Sequence, residues 1–246
     1  MSEPSIYGAV NAAQLEMFLE AFDYQYHFAI EDSKEGFCKV VDLISQYIGG
    51  HSVVDCGCGY GGVARQLSNA GFKVTGVTNE MRQVVVATQI ASTAEFLYFD
   101  LDSCTENEHL PMADTFLFLE SMSHIKDPES LIAGSLARCS SLIMIEQVAH
   151  NSAWYHPLWN MHFRHRDYYV DLIKRFGWRI EECRDLMPAA AIASANLWQR
   201  RLVEFSRNGQ LDFHLTLLSD LCHEILSDPE RFIAEIGLML IVARET

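Results

Sequence analysis

Apolar positions recur along the chain with two different periods. In residues 11–48, apolar side chains are spaced three or four positions apart, which predicts two amphipathic helices, NAAQLEMFLEAF and EGFCKVVDLISQYI. From residue 52 onward, short runs rich in Val, Ile and Phe alternate with helical stretches. This alternation is typical of the strand–helix–strand units that build a parallel sheet. The pattern therefore predicts a doubly wound α/β fold with a helical N-terminus.

The individual elements follow from the positions of these runs. We predict seven strands in one mostly parallel sheet, at residues 52–56, 73–77, 95–99, 115–120, 142–146, 179–184 and 238–243. The helices predicted between the strands span residues 62–70, 81–93, 128–137 and 166–176.

Two segments do not fit the alternation and are interpreted as cap or lid insertions. One is residues 150–165, and the other is residues 187–230, whose periodicity predicts two helices separated at Gly209. Insertions on a sheet scaffold are where specificity is usually carried. We therefore predict a single domain over residues 1–246, with a helical cover at 1–50 and a core at 51–149. The two-helix segment could serve as a lid or as the interface of a homodimer.

Composition and charge limit the classes of partner. The chain has 33 acidic and 18 basic residues among 246, a formal net charge of −15. Such a field repels polyphosphates, so no nucleic acid partner is expected, and no basic membrane-docking surface is visible. No apolar run approaches the length of a membrane span. A small molecule, neutral or cationic, suits this charge best.

The seven cysteines give no sign of a metal site or of a disulfide framework. They are scattered, and no C-x-x-C pair occurs among them. We therefore predict no bound metal. The first residues also lack the pattern of a signal peptide, so the expected location is the reducing cytoplasm.

The stretch VVDCGCGYGGVARQL, residues 53–67, carries the strongest chemical signal. A buried type of strand runs into Asp55, and glycines follow before a helix begins. Glycine permits a tight turn there and lets backbone N–H groups approach a ligand at the start of the helix. Taken alone, the glycines fit a nicotinamide or flavin site, or a tight turn that binds nothing.

The order D-C-G-C-G-Y-G-G resembles motif I of the class I S-adenosylmethionine (SAM)-dependent methyltransferases, which have a Rossmann-like fold. The resemblance implies that Asp55 lies behind the loop and orders its N–H groups. It also implies that the loop passes the amino-acid end of the cofactor through Gly57, Cys58, Gly59 and Gly61.

The next strand, in VTGVTNEMRQ, resembles the VTG[VI]T-x-S-x-x-Q variant of one methyltransferase branch. That branch includes the cyclopropane-lipid, sterol and tocopherol methyltransferases, the rebeccamycin sugar O-methyltransferase and the geranyl diphosphate C-methyltransferases. The resemblance implies that Thr78, Asn79 and Gln83 hold the cofactor ribose. Glu80 replaces the usual serine and could itself reach the ribose.

Two further runs extend the resemblance to residues 24–146. FLYFDLDS places Asp100 and Leu101 at the positions that contact the adenine of the cofactor in the family. FLFLESMSHIKDPES resembles the run ES-x-x-H-h-x-D of the same branch. The N-terminal FDYQYHFAI resembles YDxxHFG, with Ala29 where glycine is expected. The resemblance implies that the acceptor or its entrance is bordered by Tyr24, Tyr26 and His27.

Three candidate catalytic residues lie at or near strand ends, because the carboxyl ends of parallel strands meet at one edge of the sheet. His124 is the first choice as general base, since an unperturbed histidine titrates near neutrality. Glu146 is the alternative base, because a buried carboxylate facing the acceptor would have a raised pKa. Glu120 is expected mainly to order the cofactor side.

The insertion after residue 149 is dense in aromatic side chains. This density favours a lid over an apolar or cationic acceptor, and the core of a small cap is the other interpretation. The lid residues predicted to bind the acceptor are Trp154, Tyr155, Trp159 and His162.

The sequence thus predicts a SAM-dependent methyltransferase that acts on a small natural-product or lipid-like acceptor and releases S-adenosylhomocysteine (SAH). Oxygen, nitrogen and carbon remain open as the methylated atom. The alternatives are a prenyl diphosphate C-methyltransferase that uses magnesium, an NAD-dependent oxidoreductase and a non-catalytic SAM-binding protein.

Overall fold

A seven-stranded sheet forms the centre of the structure, a computed structural model that describes residues 13–33, 35–103, 110–207, 209 and 211–246. Two further short strands form a separate hairpin. The strands are β1 (Ser52–Cys56), β2 (Lys73–Thr78), β3 (Glu95–Tyr98), β4 (Thr115–Leu119), β5 (Ser141–Ala149), β6 (Trp154–His156), β7 (Met161–Phe163), β8 (Arg179–Asp185) and β9 (Ile236–Arg244).

Helices cover both faces of this sheet. They are α1 (Ala13–Glu20), α2 (Gly36–Ser45), α3 (Gly62–Asn69), α4 (Met81–Ile90), α5 (Pro128–Leu136), α6 (Arg166–Arg175), α7 (Met187–Ser206), α8 (Phe213–Ser227) and α9 (Pro229–Glu235). Each predicted helix and strand is present, with ends that differ by a few residues. The prediction missed β6, β7 and α9.

The order of the strands creates a crevice beside β1. The sheet runs β3-β2-β1-β4-β5-β9-β8, with β9 antiparallel to both β5 and β8 and the other pairs parallel. From β1 the chain adds β2 and then β3 on one side of the sheet. It then returns and adds β4 and β5 on the other side of β1. Ligands of doubly wound sheets bind at the carboxyl ends of the strands where the order reverses. The topology therefore places a site at the ends of β1 and β4.

Burial on both faces explains the nearly continuous apolar runs of the central strands. Along β1, Val53 belongs to one hydrophobic cluster and Val54 to the other, because successive side chains of a strand point to opposite faces. The first cluster joins the sheet to α1, α2, α3, α7 and α8. The second joins it to α5 and α6. Among the described residues, no helix is long and apolar enough to cross a membrane.

An extended segment, residues 25–29, ties the helical cover to the end of β4. The N–H of Phe28 donates to Oε1 of Glu120 at 2.6 Å. The N–H of Ala29 donates to Oγ of Ser194 in α7 at 2.7 Å, and that hydroxyl donates back to the Ala29 carbonyl at 3.1 Å. We call residues 25–29 the strap. Ala29, which stands where the resembling motif has glycine, is fully buried in it.

Candidate active site

Two adjoining cavities lie at the carboxyl ends of the central strands. The first has a volume of about 250 Å³ and borders the glycine loop, and the second has a volume of about 390 Å³ and borders the hairpin β6–β7 and the cover helices. Four residues line both cavities: Tyr26, His27, Glu120 and His124. We call these four residues the shared wall. A group bound in one cavity would meet a group bound in the other at this wall.

The glycine loop needs its glycines for two different reasons. Gly57 has φ +87°, and a Cβ there would lie 2.5 Å from the Cβ of Ser121. Gly59 has φ +53°, and a Cβ there would meet no atom within 4 Å, so the loop backbone borders open space. Both residues line the first cavity. The loop therefore brings its backbone close to whatever the cavity holds.

Asp55 is the buried acid of the first cavity. Its side chain is 2% exposed, and burial raises its pKa to about 7. Its Oδ2 has no hydrogen-bond partner among the described residues. The N–H groups of Gly57 and Cys58 both donate to the Val77 carbonyl at 2.9 Å, so Asp55 does not order these two groups as expected. An unpaired buried carboxylate oxygen is costly, so a cationic donor in the cavity would satisfy it.

Ten of the eleven residues predicted to bind the cofactor line the first cavity. They are Asp55, Gly57, Cys58, Gly59, Thr78, Asn79, Gln83, Asp100, Leu101 and Glu120. Gly61 is the exception: it precedes the first residue of α3 with φ +83°, and a Cβ there would lie 2.7 Å from the Cβ of Ala87. Gly61 thus serves the packing of α3 against α4 instead of bordering the cavity.

Residues at or just after the carboxyl ends of β2 and β3 form the polar side of the first cavity. Oγ1 of Thr78 donates to Oε1 of Gln83 at 2.5 Å, and both side chains are buried. Asp100 accepts the N–H of Asp102 through Oδ1 at 3.1 Å. Glu80 precedes the first residue of α4 and is not among the residues that line the cavity, so the suggested contact with a ribose is not seen.

His124 stands in the shared wall with a defined tautomer. Its Nδ1 lies 3.1 Å from the backbone carbonyl of Asn160. A carbonyl only accepts, so Nδ1 carries the proton and Nε2 carries the lone pair of the neutral ring. Burial lowers the pKa of His124, which favours this neutral form. Asn160 adopts φ +50°, an uncommon conformation for a residue other than glycine, and this conformation directs its carbonyl to the ring.

Glu120 is the carboxyl group of the shared wall. Its Oε1 accepts the Phe28 N–H, and its Oε2 accepts from Nε2 of Gln147 at 2.9 Å. Burial raises its pKa to about 8, outweighing these two hydrogen bonds, and neighbouring Glu146 raises the pKa further. Its backbone has φ +52°. Such strain at a strand end is typical of functional sites.

Glu146 borders neither cavity, contrary to the expectation from the sequence that its carboxylate faces a substrate cavity. Its side chain is fully buried in β5 and lines neither cavity. Oε2 accepts the Met122 N–H at 2.6 Å, and Oε1 accepts the Gln147 N–H at 3.0 Å. Glu146 therefore holds the turn that carries His124 and is a structural acid.

The stability contribution of Glu146 should depend on pH. Burial raises its pKa from 4.5 to about 7, so the folded protein retains a proton that the unfolded chain releases. Stability therefore falls as pH rises from about 4.5 to about 7 and levels off above that range. The stability of Glu146→Gln relative to wild type should therefore be about 2 kcal/mol greater at pH 8 than at pH 5. Urea unfolding at both pH values measures this difference.

A matched substitution separates the burial effect from the change of net charge. Glu95→Gln removes the same charge from an exposed position on β3. Its stability relative to wild type should be nearly the same at both pH values. An equal gain in the two variants would mean that Glu146 titrates normally.

The hairpin β6–β7 divides the predicted lid residues into two groups. Trp154 pairs with Phe163 and Tyr155 pairs with His162, so the two pairs lie on opposite faces of the hairpin. Trp154 and Phe163 stack at 4.3 Å and line the second cavity, as does Trp159. Tyr155 and His162 line neither cavity.

The other predicted substrate residues come from the N-terminal cover. Tyr24 lines only the first cavity, whereas Tyr26 and His27 belong to the shared wall. His27 is 3% exposed, and burial lowers its pKa to about 4. Its Nδ1 lies 2.9 Å from the Phe28 carbonyl, so the ring also fixes the backbone of the strap.

Sequence reasoning missed most of the second cavity, because its lining comes from segments far apart in the chain. Trp198 of α7 is 3% exposed, and its indole N–H has no partner among the described residues. The lining residues not predicted are Phe28, Gln147, Leu158, Met161, Phe163, Trp198, Leu217, Leu218, Asp220, Leu221, Glu224, Phe232, Glu235 and Ile236. The apolar stripes of α7 and α8 were visible, but not which face would border a cavity.

No protein-family model matches the chain, and no curated protein matches it. Solved structures do match over nearly its whole length. Coclaurine N-methyltransferase, solved with N-methylheliamine and SAH, is 17% identical with a TM-score of 0.74, covering 93% of this chain and 80% of that one. Geranyl diphosphate C-methyltransferase from Streptomyces coelicolor A3(2) is 13% identical with a TM-score of 0.69, covering 98% and 95%.

The chain has the SAM-dependent methyltransferase fold. The fold predicted from the sequence is thereby confirmed. The [4+2]-cyclase SpnF also has this fold, at 14% identity and a TM-score of 0.71, covering 98% of this chain and 97% of that one. Because a methyltransferase fold occurs in a cyclase, the reaction must be argued from the residues of the two cavities.

Proposed function

We propose that the protein transfers a methyl group from SAM to a small molecule bound in the second cavity, releasing SAH. The observation that carries the proposal is the orphaned carboxylate oxygen of Asp55. It is buried beside a glycine loop whose backbone borders open space, in a cavity that meets a second cavity at His124.

The residues of the first cavity fit SAM. Asp55 would accept from the ammonium group of the cofactor's amino-acid end. The buried Thr78–Gln83 pair offers polar atoms for the ribose hydroxyls, and Asp100 with the Leu101 backbone borders the space for the adenine. When bound, SAM supplies an electrophilic methyl group on a positively charged sulfur.

The residues of the shared wall would align and deprotonate the acceptor. His124 carries the lone pair on Nε2, so it can accept the proton that an attacking oxygen or nitrogen must lose. Glu120 fixes the strap through Phe28 and thereby helps to separate the cavities from solvent. We further propose that the protein acts in the cytoplasm on a secondary metabolite. The six described cysteines are all free, as expected in a reducing compartment.

Calorimetry with SAH, beside NADH as a control, tests the cofactor assignment. We expect SAH to bind and NADH to give no heat. Acceptors would then be screened with SAM by mass spectrometry for a product heavier by one methyl group, formed in equal amount with SAH. The assignment would be overturned by binding of NADH instead of SAH.

The remaining alternatives each give a distinct result in the same assays. SAH binding without turnover across a broad panel would support a non-catalytic SAM-binding protein. Methylation of a prenyl diphosphate only with magnesium would support the C-methyltransferase. In the described part of the chain, no three His, Cys, Asp or Glu residues are grouped to hold a metal ion.

A further inference from the structure

The second cavity is built to hold a flat or bulky apolar body. Its volume of about 390 Å³ lies in the range of small-molecule sites. Three tryptophans line it, and each comes from a different part of the chain: Trp154 in β6, Trp159 in the hairpin loop and Trp198 in α7. Phe28 packs edge-on against Trp198 at 5.2 Å. The indole N–H of buried Trp198 has no partner among the described residues.

The charged side chains that line this cavity are all acidic. Glu120 lies in the shared wall, and the exposed residues Asp220, Glu224 and Glu235 border the cavity from α8 and α9. Among the described lining residues there is no lysine or arginine. Arg231 pairs with Glu224 and Glu235 from outside the lining. The three exposed acids outnumber this one arginine, so the field at the cavity favours a cationic ligand over an anionic one.

Aromatic faces and a carboxylate together form the kind of site that binds an organic cation. Tryptophan rings attract ammonium groups through their negative faces. Each oxygen of Glu120 accepts one hydrogen bond, from Phe28 and from Gln147. Burial raises the pKa of Glu120 to about 8, and a bound ammonium group favours the ionised form of the side chain. In that form a carboxylate has about four acceptor positions, so Glu120 has room for a further donor.

We propose that the acceptor is an amine with an apolar ring body, bound as a cation with its nitrogen beside Glu120 and its body among the three tryptophans. The proposal rests on the proposed function for the transfer itself, but it concerns a binding preference that can be measured without turnover. Before methylation the nitrogen must lose one proton and keep its lone pair. His124 in the same wall can take that proton.

Three indoles with the same ring body and different charges test the proposal. Tryptamine is cationic, tryptophol is neutral and indole-3-propionate is anionic at pH 7. Calorimetry on the SAH-loaded protein should show tryptamine binding about tenfold more tightly than tryptophol, and indole-3-propionate more weakly than both. In Glu120→Gln the preference for tryptamine over tryptophol should fall to within about twofold.

The ratio of the tryptamine affinity to the tryptophol affinity is compared between the proteins. Any general effect of the substitution on folding or cofactor binding changes both affinities alike and cancels in this ratio. Glu95→Gln, which removes the same charge at an exposed position outside both cavities, should keep the full preference. Equal or tighter binding of either of the other two indoles would overturn the proposal. The proposal would also be overturned if tryptamine failed to bind at millimolar concentration, or if Glu120→Gln kept the full preference for tryptamine over tryptophol. These outcomes with intact SAH binding would leave the proposed function standing, whereas absent SAH binding would remove the proposed function.

Discussion

Asp55→Asn should weaken the binding of SAH about 100-fold at pH 8. The substitution keeps the size of the side chain and removes the charge that would face the ammonium group of SAH. Asp55 is 2% exposed, and its Oδ2 has no partner among the described residues, so water does not compensate for the loss. Truncating one partner of a buried, hydrogen-bonded charge pair costs about 3 kcal/mol or more, which corresponds to about 100-fold in affinity.

The same residue should make SAH binding depend on pH. Burial raises the pKa of Asp55 to about 7, so below that pH the free protein carries it protonated. Binding of an ammonium group favours the ionised form, and affinity therefore rises with pH through about 7 and levels off above it. We expect about tenfold weaker binding at pH 6 than at pH 8.

The asparagine variant should bind SAH with little dependence on pH. Calorimetry of wild type and Asp55→Asn at pH 6 and pH 8 measures both effects. Asp171→Asn, an exposed substitution on α6, is the matched control and should behave as wild type. Wild-type affinity in Asp55→Asn would exclude Asp55 from the cofactor site.

His124→Gln should lower kcat about 100-fold or more, with SAH affinity nearly unchanged. Glutamine keeps a polar side chain of similar size but cannot accept a proton at neutral pH. General bases contribute about 10²–10⁴-fold to proton-coupled reactions. The experiment uses an acceptor identified by the screen with SAM, and it compares kcat and SAH affinity in the two proteins.

The pH profile distinguishes a base from a residue that merely packs. Burial lowers the pKa of His124 below 6.5, so wild-type kcat should fall only on the acid side, at a pH below that ordinary histidine value. This acid limb should be absent in His124→Gln. His223→Gln, exposed on α8 and outside both cavities, is the control and should retain both rate and profile. An unchanged kcat in His124→Gln would exclude His124 as the general base.

Much of the lining of the first cavity could be predicted because its residues lie at or just after the ends of predicted strands. Asp55, Thr78 and Asp100 each stand at or just after a strand end, and parallel pairing brings those ends to one edge of the sheet. Continuous apolar runs identified the strands, and glycines identified the loop. Gly61 does not line the cavity, because a glycine spacing does not tell whether the missing side chain makes room for a ligand or for a neighbouring helix.

The lining of the second cavity could not be predicted from the sequence, because it depends on tertiary structure. Glu146 ends an apolar strand as Glu120 does, yet its carboxylate turns into the core and holds the Met122 N–H. Successive residues of the hairpin point to opposite faces, so Trp154 lines the cavity and Tyr155 does not. Which residues share a face could not be predicted, because the hairpin itself was not predicted. Trp198 lay in an amphipathic helix whose stripe fitted core, lid or interface equally well.

The sequence by itself thus determined the sheet, the glycine loop and the residues at the strand ends, because local patterns of apolar and special residues suffice to define them. Tertiary structure alone decided which side chains meet across the second cavity. That cavity is enclosed by the strap, the hairpin, α7, α8 and α9, which are remote in the chain. Their mutual positions result from packing free energy summed over many contacts, which the periodicity of any one segment does not encode.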